Sequence, residues 1–185
     1  MNKPLLVVVT GSPATGKTTL AHLLSRRINC PLLSRDELKE GLINTLSTSH
    51  GQLDKPVDLR VYDIFFETVE LLISKGISLV IEAAFQDKLW RPKLLGLLQK
   101  ATIKIIICKT EIDLIKARFA NRLSSDPDRE KFHGDQSLNA EQIASLIEHY
   151  QPVNMDLPTL NVDTTNRYEP AMEDIIQFVR MHDAS

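Results

Sequence analysis

Residues Gly11-Ser12-Pro13-Ala14-Thr15-Gly16-Lys17-Thr18 follow the pattern G-x-x-x-x-G-K-[ST]. They lie between an apolar run, Leu5 to Thr10, and a stretch of helical spacing that starts at Lys17. This feature constrains the fold more than any other, because such a loop has its meaning only when a strand delivers it and a helix leaves it. Its glycines let the main chain wrap a phosphate chain with N–H groups pointing inward, and the helix N-terminus adds a dipole that favours negative charge. The pattern therefore predicts a nucleotide on Gly11, Ser12, Ala14, Thr15, Gly16, Lys17, Thr18 and Thr19. Lys17 is expected on the β- and γ-phosphate oxygens and the Thr18 hydroxyl on Mg²⁺.

The apolar pattern of Leu5 to Thr10 returns at Leu79 to Ile81 and at Ile103 to Cys108, with shorter candidates at Leu32-Leu33 and Leu160 to Val162. Unbroken β-rich runs suit strands buried on both faces of a parallel sheet. Helical spacing covers approximately Lys17 to Ile28, Asp36 to Leu46, Leu59 to Lys75, Lys88 to Lys100, Ile112 to Ser124, Ala140 to Tyr150 and Pro170 to His182. Strands alternating with helices predict an α/β fold with a five-stranded parallel sheet covered on both faces. Gly76 stands where a helix must stop before the third strand. Two polar segments, Ser47 to Asp58 and Ser124 to Ser137, are long for connectors in a compact domain and read either as functional loops or as solvated connections.

Composition narrows the classes. The chain has 185 residues, with 22 basic and 24 acidic side chains and a formal charge of -2. That length suits one domain over residues 1–185. A charge this small gives no bulk attraction to nucleic acid or to an anionic membrane. Cys30 and Cys108 lie far apart, without metal-ligand spacing, so neither a disulfide framework nor a zinc site is expected, and a reducing cytoplasm fits. The apolar run near the start is too short for a signal peptide, and no stretch reaches membrane-spanning length. The expected partners are a nucleotide and a small molecule, with the chain a monomer or weak dimer.

Taken together, the sequence resembles small P-loop kinases of the adenylate-kinase-like fold, especially those related to the kinase domain of phage polynucleotide kinase, chloramphenicol phosphotransferase and zeta toxins. The likeness spans nearly the whole chain. It rests on Gly11 to Thr18, on Ser34-Arg35-Asp36-Glu37, on Arg118 and Arg122, and on Val162 to Thr165. Only the first of these is highly specific. The resemblance implies a P-loop NTPase fold with strand order 2-3-1-4-5, a lid at about 124–137, and ATP with Mg²⁺ as cofactors.

The resemblance also implies roles. Asp36, just after the second strand, would accept the proton of the attacking hydroxyl. The same segment is equally a capping box, S-x-x-E, in which Asp36 sits at the positive end of a helix; the two readings are compatible. Glu82 ends the third strand, where an acid, usually aspartate, orders water around Mg²⁺; it is open as a metal-water ligand or as the base itself. Arg118 and Arg122 stand four residues apart on one helix face, and Arg129 follows in the loop. In relatives such arginines cover the adenine and neutralise the moving phosphoryl group. Surface pairing with Asp113, Asp126 and Glu130 is the alternative. Thr165 belongs to a loop that touches the adenine edge in related kinases, although Thr165 or Asn166 could equally cap the last helix. His133 reads as an ordinary loop residue, Trp90 as packing and the two cysteines as core.

The function expected from these residues is Mg²⁺-dependent transfer of the γ-phosphate of ATP to a hydroxyl of a small molecule, with Lys17, Asp36, Arg122 and Arg129 as the catalytic set. An RNA or DNA end kinase and a catalytically idle nucleotide-binding switch are the alternatives. An Asn-Lys-x-Asp tetrapeptide after a strand is lacking, which disfavours a GTPase switch, and the chain has no room for the helical lid domain of an AAA+ machine.

Overall fold

The computed structural model describes residues 3–46, 56–125 and 140–181. In chain order the elements are β1 (Leu5–Thr10), α1 (Lys17–Ile28), β2 (Leu32–Ser34), α2 (Arg35–Leu46), α3 (Pro56–Ser74), β3 (Leu79–Glu82), α4 (Asp87–Leu97), β4 (Thr102–Lys109), α5 (Ile112–Ser125), α6 (Ala140–Glu148), β5 (Thr159–Asp163) and α7 (Met172–Arg180). The five strands form one parallel sheet in the order β2-β3-β1-β4-β5, the order implied by the resemblance.

The alternation of side chains along β1 explains the two layers of helices. Leu6 and Val8 join Phe65, Phe66, Trp90 and Leu94 from α3 and α4. Val7 and Val9 join Leu20 and Leu24 of α1 and Ile175 and Val179 of α7. Every one of these residues is buried, which is why β1 reads as an unbroken apolar run rather than as an alternating one. Helix ends follow local chemistry. Gly76 has φ 76, and its N–H donates to Ile73 O at 2.9 Å, closing α3 as expected.

Several boundaries shift by one to three residues from the sequence reading, and two of the shifts bear on the site. Pro56 opens α3, so Asp58 lies in a helical first turn and not in a polar loop; proline presets φ for this position and loses no needed N–H. Ser124 and Ser125 finish α5, and the rest of the expected lid lies outside the described residues.

A charge sits where the sequence suggested only apolar filling. Lys104 of β4 is buried, and its ammonium donates to Phe178 O at 2.8 Å and to Met181 O. Those carbonyls stand at the C-terminal end of α7, the negative end of its dipole. Among the described residues no helix is long and apolar enough to cross a membrane.

The sheet order places the site. From β1 the chain crosses to β2 at one edge of the sheet, and after β3 returns beside β1 it continues to β4 and β5 on the other side. The carboxyl ends of strands at such a reversal form a crevice for ligands. Thr10, Ser34, Glu82, Lys109 and Asp163 all end strands there.

Candidate active site

The loop after β1 is fixed by its own residues and by β4. Ala14 and Gly16 both have positive φ, 62° and 76°, which turns successive N–H groups toward one side. The Thr15 hydroxyl donates to Ser12 O at 2.8 Å, inside the loop. Gly11 packs so closely that a Cβ there would lie 2.6 Å from Cys108 O and 2.7 Å from Thr15 Oγ1. Helix α1 starts at Lys17 with no side-chain cap and no acid in its first turn. Its leading amides are therefore available to an anion, as the sequence pattern predicts.

Lys17 and Glu82 meet beneath this loop. Lys17 Nζ lies 3.6 Å from Glu82 Oε1, with the carboxylate side chain only 1% exposed. Ser34 donates to Glu82 Oε2 at 2.8 Å. Burial pushes the Glu82 carboxyl above the usual carboxylate range, and the nearby Asp36 charge pushes in the same direction, while Lys17 and Ser34 pull back without cancelling the burial. At 3.6 Å from Lys17, Oε1 is buried without a hydrogen-bond partner. This spare acceptor fits a hydrated divalent cation, whose water would supply the missing donor, with Thr18 next to Lys17 as the direct hydroxyl ligand.

Neither main-chain bond of a capping box is among the described hydrogen bonds of the segment after β2. The Ser34 hydroxyl hydrogen goes to Glu82, and Glu37 Oε1 lies 2.6 Å from His22 Nε2 on α1, so both polar ends of the motif are used across elements. Asp36, in the first turn of α2, is 38% exposed and accepts from Arg35 Nη1 at 3.1 Å. Arg35 Nη2 in turn donates to Asp58 Oδ1 at 2.7 Å.

On the other side of the loop, the hydrogen bonds of Arg118 of α5 among the described residues go to main-chain and hydroxyl oxygens; of the acids in its alternative reading, Asp126 and Glu130 lie outside the described residues. Its guanidinium donates to Thr164 O at 2.7 Å and to Ala14 O and Thr164 Oγ1 at 3.4 Å each. The Thr164 hydroxyl donates to Thr15 O at 2.7 Å, so the loop after β5 and the phosphate loop are tied together. Gly16, Thr19, Arg118, Thr165 and Tyr168 line a cavity of about 690 Å³ at this junction. Thr165 does not cap the last helix: its N–H donates to Asp163 Oδ1 at 2.7 Å, its hydroxyl lies 3.0 Å from that of Thr110, and Ala171 occupies the position before α7. Arg122 lies on α5, but its side chain, like Arg129 and His133, falls outside the described residues.

Sequence reasoning missed a hub at the base of the loop. Thr10 Oγ1 lies 2.9 Å from Ala83 O, to which it can donate, accepts from Trp90 Nε1 at 3.1 Å, and lies 2.8 Å from the Tyr150 hydroxyl. Trp90 does pack in the core, yet its indole N–H also holds the residue that precedes Gly11. The available signal was a threonine at the end of a wholly buried strand, since a buried hydroxyl needs partners.

The profile of the AAA domain family (AAA_33) matches residues 6–153. Among solved structures, a candidate kinase from Chloroflexus aurantiacus J-10-fl is 28% identical, covers 99% of this chain and 100% of its own, and superposes with a TM-score of 0.85. The Mycobacterium tuberculosis APS kinase CysC, in complex with AMPPNP and APS, is 14% identical over 98% of this chain and 100% of its own, with a TM-score of 0.63. A chain of the Pnkp1/Rnl/Hen1 RNA repair complex is 16% identical and matches 80% of this chain with 45% of its own length, at a TM-score of 0.62. These last two show the fold alone. Comparison with curated proteins returns no match. With its phosphate loop opening a family match over residues 6–153, the chain belongs to the AAA domain family, in the group of small P-loop kinases.

Proposed function

We propose that the protein is a Mg²⁺-dependent ATP phosphotransferase that moves the γ-phosphate to a hydroxyl of a small molecule. The observation that carries this reading is the difference between two carboxylates at the same end of the sheet. Glu82 is 1% exposed and engaged by Ser34 and Lys17, whereas Asp36 is 38% exposed. A hydroxyl arriving from the solvent side meets Asp36, while the spare oxygen of Glu82 lies beside Lys17, where a metal's water would stand.

In this reading Lys17 and the loop amides hold the triphosphate, and Arg118 and Thr165 border the base. Asp36 takes the proton of the acceptor hydroxyl as its oxygen attacks the γ-phosphorus and ADP departs. Arg122 and Arg129 act as cations on the moving phosphoryl group. Mg²⁺, when bound, would be held by Thr18 and through water by Glu82, and would offset charge on the phosphates. Support for a small acceptor comes from the near-neutral chain and from a neighbour of the same fold that holds both AMPPNP and APS. The free thiols of Cys30 and Cys108 support a place in the reducing cytoplasm, and we take the working form to be a monomer or weak dimer.

The test is ATP-dependent phosphorylation across a panel of hydroxyl compounds that includes a 5′-hydroxyl oligonucleotide, read by mass spectrometry. A phosphorylated small molecule supports the proposal. Phosphorylation of the oligonucleotide alone makes the protein an end kinase, and nucleotide binding with no product from any member overturns the enzyme reading.

A further inference from the structure

A line of charges runs from α3 to the carboxylate proposed as the base. Lys39 Nζ and Arg35 Nη2 lie 2.9 Å and 2.7 Å from the same oxygen, Asp58 Oδ1. The other end of the Arg35 fork, Nη1, lies 3.1 Å from Asp36 Oδ1. One guanidinium thus spans two carboxylates that belong to different helices. Because a guanidinium is planar and rigid, anchoring one end fixes the direction of the other. The Arg35 Nε is buried with no hydrogen-bond partner, so its two terminal amines bear the anchoring.

The anchor is itself well held. Lys39 is 5% exposed and Arg35 18% exposed, while Asp58 is half open to solvent at 55%. Burial raises the Asp58 carboxyl, but Lys39 and Arg35 together pull it below the ordinary carboxylate range, so it stays ionised around neutral pH. Lys39 and Asp58 have no contact with the phosphate loop among those described; their effect on the site passes through Arg35 to Asp36.

We propose that Asp58 and Arg35 are positioning residues for phosphoryl transfer: Asp58, steadied by Lys39, holds the Arg35 guanidinium, which fixes the Asp36 carboxylate at the acceptor side. This rests on the reading of Asp36 as the base. A plain staple between α2 and α3 would affect stability and leave turnover per folded molecule unchanged. A positioning chain lowers kcat while leaving ATP binding alone, since the described bonds of Asp58, Lys39 and Arg35 go to one another and to Asp36 and not to the phosphate loop.

The experiment measures phosphate release from ATP, with water as the acceptor, for Arg35→Lys, Asp58→Asn, Asp58→Glu and Asp36→Asn, and for the first two combined with Asp36→Asn. Arg35→Lys keeps the charge, but a single ammonium cannot span both carboxylates. Arg35→Lys and Asp58→Asn are each expected to lower kcat about tenfold with KM for ATP unchanged, and neither to lower it further in the Asp36→Asn background. Asp58→Glu, which restores the anchoring charge, should recover most of the Asp58→Asn loss. Should Asp58→Asn fail to fold, Arg35→Lys alone and with Asp36→Asn decides the matter. Wild-type kcat in Arg35→Lys, or losses that multiply with that of Asp36→Asn, would overturn the positioning role and leave Asp36 as base. Wild-type kcat in Asp36→Asn would remove the base reading and this inference with it.

Discussion

The hydroxyl of Ser34 donates to Glu82 Oε2 at 2.8 Å, and the two residues are partners in the register of β2 and β3. A carboxylate at the end of a buried strand is thereby held by one hydrogen bond from the neighbouring strand, with Lys17 3.6 Å from its other oxygen. The arrangement keeps an acid ready at the phosphate site at some cost to the empty protein.

That cost predicts a pH dependence. Burial raises the Glu82 carboxyl above its ordinary value of 4.5, so the folded, nucleotide-free protein keeps this proton to higher pH than the unfolded chain. The stability associated with it is fully present below 4.5 and is lost as pH rises from there through the raised folded value. Glu82→Gln, which cannot ionise, should escape this loss. Urea denaturation of both proteins without nucleotide is expected to show the variant gaining on wild type across that window, and parallel profiles would contradict the burial argument.

The two carboxylates should separate kinetically. Asp36→Asn is expected to cut kcat by a factor on the order of 10² to 10⁴, with Mg·ATP affinity nearly unchanged, because a base acts on the acceptor and not on the ground-state nucleotide. Glu82→Gln should instead raise the Mg²⁺ concentration needed for half-maximal rate. Exchanged phenotypes would make Glu82 the base.

Gly11 tolerates no side chain. A Cβ would meet the Cys108 carbonyl at 2.6 Å, and this is backbone of the central sheet that cannot step aside. Gly11→Ala should destabilise the protein by about 1–3 kcal/mol and weaken ATP binding by distorting the phosphate loop. Thermal denaturation and a nucleotide titration check the two effects, and unchanged binding would show that the loop absorbs the methyl group.

Arg118 spends its described hydrogen bonds on Ala14 and Thr164, not on an acid. Arg118→Ala should therefore release the loop after β5 from the phosphate loop and raise the Kd for ATP about tenfold, roughly 1.4 kcal/mol. The Kd from calorimetry is the measure. A fall in kcat with unchanged Kd would assign Arg118 to the moving phosphoryl group instead.

What the sequence determined by itself was local. The bounds of β1 and α1 and the phosphate loop between them follow from short-range apolar spacing and from a pattern in which each residue has its own task, so the structure returns them as read. Sheet order came with the resemblance, not with periodicity, because strand patterns carry no record of which strand lies beside which. Tertiary structure decided the rest. Ser34-x-x-Glu37 met the local conditions for a cap, but the fold set Ser34 beside Glu82, 48 residues away, and sent its hydroxyl hydrogen to that buried carboxylate, which needs a donor. Asp58, read as part of a loop, became the anchor of Arg35 and Lys39 only when α3 packed against α2. Thr10 met Tyr150 across 140 residues. The physical reason is common to all three: a hydrogen bond or an ion pair is short-ranged and directional, so its partners are chosen by the packing of distant elements, which no window of sequence contains.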